Sequence, residues 1–239
     1  MDVSLEAPAV ECGRAIAAVP RWSDLCSGIR SWAKLRQRLP VPLEFPPVEM
    51  CLVRHGETTT NAAGLVTGEV DAPLTERGRE QARAAGRSLA GDVFEVAWSS
   101  TLRRSIETLD LILQTPGVVV GSVERDSRLN ERALGDMELT QTRPVDAYAR
   151  GDLEFAPPGG ESYLSVAHRS LSFLLDVADL ATRCGQPIRV LVSTHVGPMR
   201  ILAGIIEERE DAADVLALYY ENSVPVRFTM SHLVFPRFV

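Results

Sequence analysis

The sequence has no long hydrophobic run. No window approaches about 18 unbroken apolar residues, which excludes a membrane-crossing helix of ordinary length. Positive charge is in deficit: 25 Lys and Arg against 32 Asp and Glu give a formal net charge of −7. That balance argues against nucleic acid or an anionic membrane as the main partner, but not against a local cationic pocket. Cysteine is sparse. The four, at positions 12, 26, 51 and 184, include no Cys-x-x-Cys and read as free thiols in a reducing compartment. Histidine is equally sparse, at 55, 168, 195 and 232, with no His-x-x-x-His spacing, so no metal and no cofactor is expected. The start, Met-Asp-Val-Ser-Leu-Glu, is acidic and lacks the pattern of a secretory signal, and the expectation is a soluble cytoplasmic protein. There is no internal repeat and no low-complexity tract.

What is present suits one α/β domain with an extension: 239 residues, 45% of them hydrophobic. Apolar runs at Met50–Val53, Val93–Trp98, Gly117–Val123 and Ile188–Val192 read as strands, with closing strands from Asn222 through Phe235. Helical patterns lie between them. Thr75 is placed to cap one. Ser99, Ser100 and Thr101 are placed to cap the next, with Leu102, Ile106, Leu109 and Leu113 on one face. A third, after Pro157-Pro158-Gly159-Gly160-Glu161-Ser162, carries Leu171, Leu174, Leu175 and Ala178. Residues 1–47 read as an N-terminal extension. Leu25, Ile29, Trp32 and Leu39 predict an amphipathic helix over 23–38, and Pro40, Pro42, Pro46 and Pro47 a stiff linker. The extension suits a packing arm laid on the domain, or a lid or homodimer contact. Residues 48–239 form the domain proper.

The chemistry concentrates in Cys51-Leu52-Val53-Arg54-His55-Gly56-Glu57 and the Asn61 that follows. A buried strand ends in a cation, an imidazole and a glycine, at the sheet edge where open α/β folds bind ligands. His55 there can attack phosphorus as a neutral nucleophile, and Arg54 can hold phosphate oxygens with a fork of donors. This stretch resembles the signature of the histidine phosphatase (phosphoglycerate mutase-like) family. Further blocks are similar to that family in order: Asn61, Thr67-Gly68, Asp71, Pro73-Leu74-Thr75 and Gly78; Ser99-Ser100 through Arg104-Ser105 to Thr108; Leu129-Asn130-Glu131-Arg132; and Ser193-Thr194-His195.

The resemblance implies a three-layer α/β fold, a mostly parallel central sheet with helices on both faces. It implies phosphoryl transfer through a phosphohistidine on His55, with Arg54, Arg104 and His195 stabilising the phosphoryl oxygens and Glu131 as acid and then base. Asn61, Thr67 and Gly68 would line the phosphate pocket. Arg104 rather than its neighbour Arg103 matches the spacing, and Arg103 is expected to pair with Glu107 on the surface. Residues 138–155 are expected to cap the pocket, with Arg143, Tyr148 and Arg150 as substrate contacts. Two departures stand out: Leu139 where the family has glycine, which predicts a differently shaped loop, and Val196 where His-Gly-Gly is usual. The implied activity is hydrolysis of a small phosphorylated metabolite, which the Gly-Gly-Glu-Ser turn favours. A mutase and a non-catalytic phospho-ligand module are the alternatives.

Overall fold

The computed structural model describes residues 42–239. The predicted helix over 23–38, and the arm it belongs to, lie outside the described residues. Strands β1 (Leu43–Arg54), β2 (Val93–Ser99), β3 (Val119–Arg125), β4 (Ile188–Thr194) and β5 (Val226–Leu233) form one sheet, ordered β3-β2-β4-β1-β5. The first four are mutually parallel and β5 runs antiparallel beside β1. The helices are α1 (Thr59–Ala62), α2 (Glu76–Ser88), α3 (Arg103–Leu113), α4 (Asp146–Ala149), α5 (Tyr163–Cys184), α6 (Val196–Ile206) and α7 (Ala212–Ala217).

The central strands are apolar on both faces because helices cover both. Val48, Met50 and Leu52 pack with α5 and α6, while Cys51, Val53 and Leu191 pack with α2 and α3. The expected fold is the one seen. Three local expectations change. The stiff linker ends early, since β1 starts at Leu43 and takes Pro46 and Pro47 into a register shift between Glu44 and Val48. Bulges tolerate proline because the ladder is already interrupted there. At the other end, residues 222–223 turn and 224–225 are not in a strand, and β5 alone closes the sheet there. The third strand begins two residues later than its valine run suggested, at Val119.

Candidate active site

The carboxyl ends of β1 and β4 are adjacent, with Arg54 opposite Thr194. His55 N donates to Thr194 O at 3.0 Å, and the rings of His55 and His195 lie 5.1 Å apart. Both histidines are buried. His55 Nδ1 lies 2.8 Å from the Gly56 carbonyl, which only a protonated Nδ1 can satisfy. Nε2 therefore carries the lone pair. Burial, then the charges of Arg104 and Arg54, hold this imidazole well below its usual range, so it is neutral. The main chain around it is fixed from several sides. Asn222 Nδ2 donates to His55 O at 2.7 Å, Ser223 N to Arg54 O at 2.8 Å, and Gly56 N to Thr108 Oγ1 at 3.0 Å. A Cβ on Gly56 would overlap the Gly78 carbonyl, so glycine is what lets α2 begin against this loop.

Two guanidinium groups flank the ring. Arg54 Nη1 donates to Tyr220 O at 2.9 Å, while its Nε is buried with no partner. A buried orphan donor is costly unless a ligand takes it. Arg104, fully buried in the first turn of α3, donates Nη1 to Val70 O (2.8 Å), Nη2 to Gly68 O (2.6 Å) and Nε to His195 Nδ1 (3.3 Å). The serines expected to cap α3 do not. Leu102 takes that position with no side-chain cap. Ser100 Oγ instead sits 2.7 Å from His195 Nε2 and accepts from Leu102 N. Its use was missed because a serine before a helix ordinarily reads as a cap. Arg103 is exposed, and Glu107 pairs with Arg79 at 2.7 Å rather than with Arg103.

Glu131 is buried beside this group, near enough for its charge to act on both Arg54 and Arg104. Its Oε1 accepts from Arg132 N (2.9 Å) and Gly197 N (3.2 Å). A Cβ on Gly197 would overlap that oxygen, so the second glycine of the family's His-Gly-Gly is the one this site requires. Val196 meanwhile lines a cleft of about 160 Å³ with Glu131, Arg143, Tyr148 and Arg200. Arg150 does not line it. Arg132 is stacked between Tyr148 and Tyr163, 4.8 and 4.2 Å from their ring centres.

The structure thus brings Arg54, His55, Arg104, Glu131 and His195 together. Gly68 meets this group through its carbonyl. Asn61 Oδ1 accepts from Thr58 N in the cap of α1, and Thr67 Oγ1 bonds Thr60 Oγ1 at 2.6 Å. Leu139 takes φ +60°, the left-handed region that glycine favours. A leucine thus stands in a backbone conformation that glycine adopts without steric cost. Leu139 N to Val66 O (2.8 Å) and Val66 N to Thr140 O (2.9 Å) hold it there. His168 is half-buried on α5 and His232 is exposed, paired with Glu208. Among the described residues no cluster of His, Cys, Asp and Glu could hold a metal ion, and no helix is long and apolar enough to cross a membrane.

A sequence profile of the histidine phosphatase superfamily (branch 1) matches residues 50–223. The chain belongs to this superfamily. A 2,3-bisphosphoglycerate-dependent phosphoglycerate mutase 2 from Gloeobacter violaceus is 34% identical over 202 residues, covering 79% of this chain and 91% of the relative. A 2,3-bisphosphoglycerate-dependent mutase from Methylobacterium radiotolerans is 36% identical, covering 76% and 89%. Among solved structures of the superfamily, a mycobacterial glucosyl-3-phosphoglycerate phosphatase complexed with VO3 superposes with a TM-score of 0.63. It is 30% identical, covering 75% of this chain and 90% of that one. Residues 1–49 precede the matched region.

Proposed function

We propose that this histidine phosphatase superfamily member hydrolyses a small phosphate monoester through a phosphohistidine on His55. The observation that carries the reading is the neutral His55 ring, its Nδ1 pinned by a carbonyl, lying among two guanidinium groups of which one keeps a buried free donor. Nε2 attacks phosphorus in line, the N–P bond forms and the P–O ester bond breaks. Glu131 delivers a proton to the departing oxygen through Oε2, the oxygen not taken by backbone donors. Water then attacks phosphorus, Glu131 takes its proton, the N–P bond breaks and phosphate leaves. Arg54 Nε and the Arg104 fork meet the charge on the equatorial oxygens, and the loop of Asn61, Thr67 and Gly68 closes the pocket.

His195 is wired for a change of proton position. Its Nδ1 accepts from Arg104 Nε, so Nε2–H donates to Ser100. Ser100 is a hydroxyl and can equally donate to Nε2. When a phosphate oxygen draws Arg104 Nε away, the other tautomer turns Nδ1–H toward that oxygen.

A mutase reading is supported by the relatives at 34% and 36% identity. The two readings share the phosphoenzyme and differ in its fate. The test is phosphate release from a panel of monoesters with chelator present, alongside phosphoglycerate interconversion with and without 2,3-bisphosphoglycerate. Metal-independent release lost in His55→Ala is the expected result. Interconversion that needs the bisphosphate primer, with slow release, would replace phosphatase by mutase.

A further inference from the structure

Glu131 is a wall of two recesses, and the two differ in character. One, of about 340 Å³, is polar and presents Glu69, Glu161, Ser127, Asn130 and Arg169 beside the acid. The other is the cleft of about 160 Å³. Five of its residues are apolar: Val66, Leu134, Met137, Val145 and Val196. All five are half-buried, and they lie outside both hydrophobic core clusters. Apolar surface gathered around one concave site and left in contact with water marks a place where a ligand is taken up. We propose that this cleft seats the alcohol portion of the substrate, and that the alcohol is a compact apolar one without a second anionic group. The inference deepens the hydrolase reading of the same site. It rests on that reading for turnover but not for binding.

Place, size and charge all favour this occupant. The group that protonates the departing oxygen is itself a wall of the cleft, so the carbon attached to that oxygen lies at its mouth. Where the family usually has glycine, Val196 adds an isopropyl group to the lining, one residue after His195. A cavity of about 150 Å³ holds a benzene ring, so this one takes a group of that size. Three arginines line the cleft, but two of them spend their donors within the protein. Arg132, stacked between two tyrosine rings, donates Nη1 to Glu161 O at 3.2 Å and Nη2 to the Tyr148 hydroxyl. Arg200 donates Nε to Leu218 O at 2.5 Å and Nη1 to the Tyr163 hydroxyl at 3.1 Å. Arg143 is exposed, where water and salt screen its charge. The Thr142 hydroxyl is turned to Gly64 O at 3.1 Å. A carboxylate or second phosphate seated among these side chains would give up hydration for little in return, whereas an alkyl or aryl group gains by leaving water.

The test is calorimetric binding of n-alkylphosphonates, ethyl to pentyl, to the full chain, beside hydrolysis of the matching n-alkyl phosphates. Within each series the charge and the chemistry at phosphorus stay constant, and only apolar area grows. Affinity and kcat/KM are expected to rise about two- to fourfold per methylene until the cleft is full. 2-Carboxyethylphosphonate, of similar length to butylphosphonate but with a second anion, should bind about tenfold more weakly than it or worse. Val145→Thr, close in shape but with a hydroxyl, should flatten both series at an unchanged melting temperature. Val196→Gly should let the rise continue to longer chains. Should either variant fail to fold, the two series on the parent chain decide alone. Phosphonate affinity that climbs with chain length while no ester releases phosphate upholds the cleft and removes the hydrolase reading. Phosphate release with no dependence on chain length overturns the cleft proposal and leaves the hydrolase reading standing. Tighter binding of 2-carboxyethylphosphonate than of butylphosphonate also overturns it, and makes a polar alcohol the substrate.

Discussion

The carboxyl ends of β1 and β4 lie side by side, and each carries a buried histidine, the two rings 5.1 Å apart. They are wired differently. At the β1 end, a backbone carbonyl fixes the His55 tautomer and leaves Nε2 open. At the β4 end, both nitrogens of His195 are engaged, by Ser100 and Arg104. A carbonyl can only accept, so it imposes one proton position. A hydroxyl can donate or accept, so it permits two. Equal burial at two strand ends thus yields one ring with a fixed proton position and one whose proton can move. The residues after each histidine repeat the contrast. Gly56 makes room for the neighbouring α2 turn, while Gly197 makes room for the Glu131 carboxylate.

The comparison breaks first at His55. His55→Ala should lower phosphate release by about 10⁴-fold or more, since removing a nucleophile removes the pathway. His195→Ala should cost about 10²- to 10³-fold, the scale of one lost oxyanion donor, while a phosphoenzyme still forms slowly. A His195→Ala loss equal to that of His55→Ala in rapid-quench kinetics would erase the distinction. Gly197→Ala should displace the Glu131 carboxylate and lower kcat about tenfold for alkyl phosphates, at ~1.4 kcal/mol per tenfold step. Nitrophenyl phosphate, whose leaving group needs no proton, should lose less. Equal losses on both would remove Glu131 from the acid role.

Stability sharpens the comparison at smaller scale. Burial and Arg104 depress both imidazoles in the folded state. Below pH ~6.5 the unfolded chain takes protons that the folded rings refuse, so stability is intact above that pH and falls below it. Each ring contributes a slope of up to ~1.4 kcal/mol per pH unit. Replacing either ring by Gln should reduce the slope by one ring's share in urea melts between pH 5 and 7. Outside the two strand ends, Leu139→Gly relieves a left-handed leucine that is 54% exposed. The αL cost of 1–2 kcal/mol, less glycine's entropic cost, leaves a gain of about 0.5–1 kcal/mol. A lower melting temperature would show that the leucine side chain contributes contacts of its own.

The sheet and the five convergent residues were legible because each rests on a local pattern: an apolar run, then Arg-His-Gly, Asn-Glu-Arg or Thr-His. What supports them was not. Ser100 faces His195 across 95 positions, and Asn222 and Tyr220 reach the β1 end across more than 160. No local spacing encodes such pairs. Arg103 and Glu107 fit the helical pair rule, but α2 brings Arg79 closer to that carboxylate. Pro46 and Pro47 read as linker because proline opposes sheet, until a bulge accommodates them. Leu139 shows the same limit from the other side, since the sequence shows the missing glycine but not the backbone bonds that hold Leu139 in the left-handed region.

The most direct measurement is capture of the covalent intermediate. The full chain is mixed with a ³²P-labelled monoester, quenched in alkali within milliseconds, and the labelled peptide is located by mass spectrometry. Acid-labile, alkali-stable label on Nε2 of His55, present in His195→Ala and absent from His55→Ala, is the predicted result. Label on His195, or turnover that leaves no label on histidine at all, would contradict it.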